Sequence, residues 1–229
     1  MLNDLHHYLK INHIANDLAK NISDYFSLNL TQIRWWHVTA FFEQKYNVII
    51  EPLDSNKFNK LIKNNAGIYG TTVTDSKISI IIFNDTTIKS RQNFTILHEI
   101  AHIKLHKSNK IESYTSLKYN NNYSKEDKIK EDEANSLAGQ LLINDTSLIT
   151  YINNNLTFKE ICQEFEISHQ ALKTRIKQHI VISIIQNNLI TKNPKKYIKN
   201  PHSYAAKILN RYLKGERIYI RYLIPNFPT

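Results

Sequence analysis

Five consecutive residues, His98-Glu99-Ile100-Ala101-His102, combine two imidazoles and a carboxylate at a spacing that can do chemistry. On a helix the two histidines stand one turn apart on one face, so both can reach a single metal ion, and zinc suits that donor set. Glu99 lies beside them. A carboxylate in that place can take a proton from a metal-activated water and pass it to a leaving amine. The flanking residues Phe94, Ile96, Leu97, Ile103 and Leu105, with no Gly or Pro among them, predict a buried helix, and histidines in a core helix need polar partners. A pair of core histidines satisfied by hydrogen bonds is the plainer alternative.

His106 continues the four-residue step. Positions i, i+4 and i+8 span about 12 Å of helix, however, whereas zinc ligands stand about 2 Å from the metal, so three such side chains do not converge. His106 therefore reads as a last-turn residue at the rim, and a third ligand must come from another element. The next strong helical segment, residues 125–143, has an apolar stripe through Ala134, Ala138, Leu141 and Leu142. Stepping back a turn from that stripe reaches Glu131 and Asn135. Glu133 lies roughly 160° around the helix from Glu131. Glu131 is thus the chosen ligand, Glu133 the alternative, and Asn135 is placed to orient a ligand from behind. An ordinary solvated acidic first turn would leave the same residues.

Around this pair of segments the chain is 229 residues long and 41% apolar, enough for a real core. Its single cysteine, Cys162, excludes a disulfide framework and a cysteine-based metal site, and fits a reducing cytoplasm. The N-terminal residues lack the apolar core of a signal peptide, and no run approaches the length of a membrane span, so no membrane partner is expected. The net charge of +10 is uneven, because residues 191–229 hold nine Lys or Arg against one acid, Glu216. Any acidic partner is drawn mainly to that tail.

Taken in order, residues 1–30 read as helical through Leu5, Leu9, Ile14, Leu18 and Ile22, and form an arm packed on the body. Residues 31–46 give a second helix with Trp35, Trp36, Val38, Phe41 and Phe42 on its apolar side. Strands are expected at 48–50, ended by Pro52, at 68–73 and, most strongly, at 77–84, with a short helix between 54 and 63. The polar stretch from 107 to 124 reads as a mobile loop. Thr157 with Glu160 forms a capping box and Ser168 can cap the next helix, so residues 157–185 look like a helix-turn-helix. In the tail, Lys207, Arg211 and Lys214 alternate with Tyr204, Ile208, Leu209, Tyr212 and Leu213 on one amphipathic helix. That pattern suits contact with nucleic acid or a protein partner, and equally a solvated basic face. Residues 218–224 could form a last strand.

The paired blocks, Arg91-Gln92-Asn93-Phe94-Thr95-Ile96-Leu97-His98-Glu99-Ile100-Ala101-His102 and Glu131-Asp132-Glu133-Ala134-Asn135-Ser136-Leu137-Ala138-Gly139-Gln140-Leu141-Leu142, resemble the two signatures of the ImmA/IrrE metallopeptidases. The resemblance covers roughly residues 31–180. It implies Zn²⁺ on His98, His102 and Glu131, with Glu99 as the base of a gluzincin-like endopeptidase. It implies a protein substrate as well, typically a helix-turn-helix transcriptional repressor cut at one site. It includes a helix-turn-helix unit, so that unit does not by itself establish DNA binding. One departure is Asn144, where the family usually places Pro. The expected fold is α+β: a zincin-like core with a small mixed or antiparallel sheet over the His-Glu-x-x-His helix, plus a helical C-terminal extension. The expected organisation is an arm over 1–30, the metallopeptidase core over 31–150, the helix-turn-helix-like extension over 151–190 and the basic tail over 191–229. The rival expectation is a non-catalytic regulator that binds DNA or a partner on the same scaffold.

Overall fold

A computed structural model describes residues 5–53, 68–75, 77–107, 112–117, 124–190 and 201–213. Its helices are α1 (Leu5–Phe26), α2 (Trp35–Tyr46), α3 (Lys89–His106), α4 (Lys125–Leu142), α5 (Asp145–Asn153), α6 (Phe158–Glu164), α7 (His169–Ile190) and α8 (Pro201–Leu213). Its strands are β1 (Val48–Pro52), β2 (Ile68–Thr74), β3 (Ser79–Phe83) and β4 (Glu112–Leu117). The strands make one sheet in the order β1-β3-β2-β4. β1 runs parallel to β3, with Val48 opposite Ser79, and β2 is antiparallel to both β3 and β4. The architecture is α+β, a small mixed sheet on a mostly helical body, as the zincin-like expectation requires.

Three features of this fold position the site. First, α3 is buried from Thr95 through Ile103, so its polar residues are held by packing on every side. Second, α3 packs lengthwise on α4, whose Ala134, Leu137, Ala138, Leu141 and Leu142 are buried. Small residues at 134 and 138 let the two helix axes approach closely. Third, the sheet lies across α3 through the inward face of β2, Gly70, Thr72 and Thr74, all buried. That face is polar and small where a sheet over a helix is ordinarily apolar.

The polar stretch expected to be a mobile loop contains β4. Glu112, Ser113, Thr115 and Ser116 hide the strand from a hydrophobicity reading, and it is the backbone pairing with β2, Thr72 opposite Tyr114, that holds it in the sheet. The N-terminal helix buries Tyr8, Ile11, Ala15, Leu18, Ala19 and Ile22 at steps of three and four, in the same core cluster as α3, α4 and α7. That core runs unbroken past residues 30 and 150. α2 starts at Trp35, after a short 3₁₀ turn at Leu30–Gln32, and while Val38, Phe41 and Phe42 are buried, Trp36 stays exposed.

Asn144, in place of a proline, caps α5: its side chain accepts the Ser147 amide at 2.8 Å. The caps of the helix-turn-helix-like unit form as well, Thr157 with Glu160 on α6 and Ser168 accepting the Ala171 amide at 3.1 Å on α7. In the turn between them Glu166 takes a left-handed backbone (φ 49°), and its carboxylate accepts from Trp35 Nε1 at 2.9 Å and Asn93 Nδ2 at 3.2 Å. The unit is thereby tied to the start of α3. Along α7, Leu172, Arg175, Ile176 and residues 178–184 are buried, so much of the helix is committed to the core. The expected helix at 54–63 and strand at 218–224 lie outside the described residues.

Candidate metal centre

His98 and His102 are buried on one face of α3, 4% and 1% exposed. Their Nε2 atoms stand 3.0 Å apart. Glu131, from the first half of α4, reaches between them, with Oε2 at 3.3 Å from His98 Nε2 and Oε1 at 3.2 Å from His102 Nε2. This is the one His/Cys/Asp/Glu group among the described residues whose ligand atoms gather closely enough to hold a metal ion. The distances themselves test the fit. Donors about 2.0–2.1 Å from a tetrahedral zinc sit about 3.3 Å from one another. Two imidazole nitrogens and a carboxylate at that mutual spacing match one face of such a tetrahedron.

The electrostatics agree with a cation site. Burial works against the charge of Glu131, but the hydrogen bonds and charges of His102 and His98 outweigh it and hold the carboxyl down at about 2. Burial likewise opposes a charged His98, and Glu131 and Glu99 outweigh it to raise its pKa. The Glu131 carboxylate is thus balanced by positive charge on the imidazoles beside it, the charge a bound cation would otherwise supply. Asn135, one turn beyond Glu131, lies near enough to the His98 ring to favour its charged form. Phe94, one turn before His98, stacks beside that ring, centroids 6.1 Å apart at 29°.

Glu133 is elsewhere. Its carboxylate faces His106 at 3.7 Å and His7 at 3.8 Å, apart from His98 and His102. His106 also meets the Lys130 carbonyl at 3.2 Å, and burial with the neighbouring His102 charge pushes its pKa down to about 4. The helical phase separates the two glutamates as the 100° step requires.

Glu99 is wholly buried, and Thr72 Oγ1 donates to its Oε2 at 2.7 Å. Two residues earlier on the same strand face, a Cβ at Gly70 would come within 2.5 Å of Thr95 Cγ2 and 3.3 Å of Glu99 Oε1. Only glycine lets β2 lie this close to α3. Sequence reasoning missed both residues, although a lone glycine inside a strand, followed at the two-residue step by a hydroxyl, marks a close approach of backbone to another element. Lys207 and Arg211 are exposed on α8, which packs on α7, and they take no part in the cluster; Lys214 lies outside the described residues.

A family model, Peptidase_M78, described as the IrrE N-terminal-like domain, matches residues 44–177. That stretch runs from the end of α2 into α7 and holds the whole cluster. Comparison with curated proteins found no match.

Proposed function

The chain belongs to the Peptidase_M78 family of IrrE N-terminal-like domains, and from that membership and the donor set we propose that it is a zinc-dependent endopeptidase acting on a regulatory protein, a helix-turn-helix repressor. The observation that carries the reading is the convergence of His98, His102 and Glu131 at 3.0–3.3 Å beside a buried glutamate. Zinc held there supplies Lewis acidity to a water and to the carbonyl of the bond to be cut. The two imidazoles and the Glu131 carboxylate bind and orient the ion. Phe94 packs against the His98 ring and restricts its turning, and Asn135 lies nearby.

Glu99 is the base. It takes a proton from the attacking water and returns it to the departing amine nitrogen, so the peptide C–N bond breaks as the new C–O bond forms and the proton balance closes. The Thr72 hydroxyl fixes the carboxylate by donating to Oε2. Burial of Glu99 under β2 keeps bulk water from competing for that proton.

A candidate repressor co-expressed with the protein is expected to be shortened by wild type and left whole by Glu99→Gln, with Glu99→Gln still binding metal. Intact mass spectrometry reads both. A repressor that binds stably and stays whole with wild type and variant alike overturns the peptidase reading in favour of a non-catalytic regulator.

A further inference from the structure

A cleft of about 550 Å³ opens beside the cation cluster, between the start of α3, α4, α7, α8 and α1. It begins one side chain away from the cluster, because its wall includes Phe94, which stacks beside the His98 ring, and Asn135, which lies near it. Ile88, Ala171, Val181 and Ala205 make much of the remaining wall apolar, and Ile88, at the start of α3, is 72% exposed. Arg175 also lines the cleft; its Nε and Nη2 are engaged by the Ile143 carbonyl and Asp145, while Nη1 is buried without a hydrogen-bond partner. Arg91 at the mouth lies over the Tyr69 ring, 4.7 Å from its centroid. The chemistry on offer is apolar contact flanked by Arg91, Asp132 and Lys177, charges of both signs, which suits an apolar side chain carried on a polar polypeptide backbone.

Gly139, inside α4, also lines this cleft. Glycine in a helix interior costs stability relative to alanine. Here packing does not require it, since a Cβ would meet only Gln178 Oε1 at 3.7 Å and Arg175 Cδ at 3.9 Å, ordinary contacts. What a larger side chain at 139 would take is space in the cleft. Tyr8, Val181, His202 and Ala205 complete the enclosure, and all four lie outside the stretch that matches the family model. The enclosure therefore depends on α1, the later part of α7 and α8, and not on the matched domain alone.

We infer that this cleft is a specificity pocket that receives one bulky apolar side chain of the polypeptide substrate next to the bond that is cut, with Gly139 setting its depth and α1 and α8 closing it. The inference rests on the peptidase reading for its substrate, but the pocket can be probed without catalysis. In the full-length, metal-free chain labelled with ¹⁵N, N-acetyl-phenylalaninamide shifts the amide resonances of Gly139, Ala171 and Val181 in a saturable way, and N-acetyl-alaninamide does not. Gly139→Leu abolishes those shifts while the spectrum stays dispersed; Ala171→Leu, which narrows the cleft from α7, does the same.

In the zinc-loaded protein, a peptide library is cut with preference for Phe, Leu or Met at one position beside the scissile bond. Gly139→Leu moves that preference toward Ala by ten-fold or more in relative kcat/KM. Saturable shifts without any cleavage uphold the pocket and count against the peptidase reading. Cleavage whose preference is the same in wild type and Gly139→Leu, or the absence of probe-induced shifts in wild type, overturns the pocket and leaves the peptidase reading standing.

Discussion

Two buried clusters of histidine and carboxylate lie along α4 and just past its end, and they differ in where the balancing positive charge comes from. Beyond the C-terminal end, Asp145 accepts from Arg175 Nη2 at 2.5 Å, pairs with His179 Nδ1 at 2.7 Å and accepts from Asn12 Nδ2 at 2.8 Å, while Asn12 also reaches Gln140 at 2.8 Å. That cluster carries its own cation and joins α1, α4, α5 and α7. In the first half of α4, Glu131 meets two imidazoles whose Nε2 atoms turn inward with its own oxygens. Here the inward-facing atoms form a group that could hold a metal ion. A self-compensated network holds a fold together, whereas an inward set of ligand atoms takes its charge from outside.

The largest expected effect breaks the closed cluster. Asp145→Asn leaves Arg175 charged and buried without its carboxylate, and removing one partner of such a pair costs about 3–5 kcal/mol. Urea denaturation reads the loss, and metal binding per folded chain is expected to survive it. The pH dependence follows in sign. Burial would raise the Asp145 pKa, but Arg175 and His179 together outweigh it and hold the carboxyl well below the usual range. A carboxyl depressed in the folded state stabilises above its unfolded pKa of about 3.9, and that contribution drains away as pH falls below it. Wild type should therefore lose stability below about pH 4 more steeply than Asp145→Asn does.

A smaller effect sharpens the other side of the comparison. Thr72→Val keeps the shape of β2 but removes the hydroxyl that donates to Glu99. Loss of a partner that orients a catalytic group typically costs about 10–100-fold in activity. The expected result is a fall in that range in kcat/KM at unchanged metal content. A Thr72→Val protein as active as wild type would show that Glu99 needs no such support.

The same contrast explains what could be read from the residues alone. The convergence of His98, His102 and Glu131 was legible because α3 and α4 are long, strongly patterned helices, and the 100° step on α4 is rigid enough to tell Glu131 from Glu133. The elements of the helix-turn-helix-like unit were legible through their caps, Thr157, Glu160 and Ser168. β4 was not, because its order comes from pairing with β2 and its own composition is polar. Gly70 and Thr72 were not singled out, since their role exists only once β2 is laid across α3. The Asp145 cluster was equally hidden. Asn12, Gln140, Asp145, Arg175 and His179 are scattered over four helices, and no local pattern foretells that they meet.

The most direct test is metal content of the purified, untagged protein by plasma mass spectrometry, with Glu131→Gln and Glu133→Gln alongside. The expected result is about one zinc per chain in wild type and in Glu133→Gln, and essentially none in Glu131→Gln, with all three proteins folded. Zinc retained by Glu131→Gln, or lost equally from both variants, would contradict the assignment of His98, His102 and Glu131 as the metal centre.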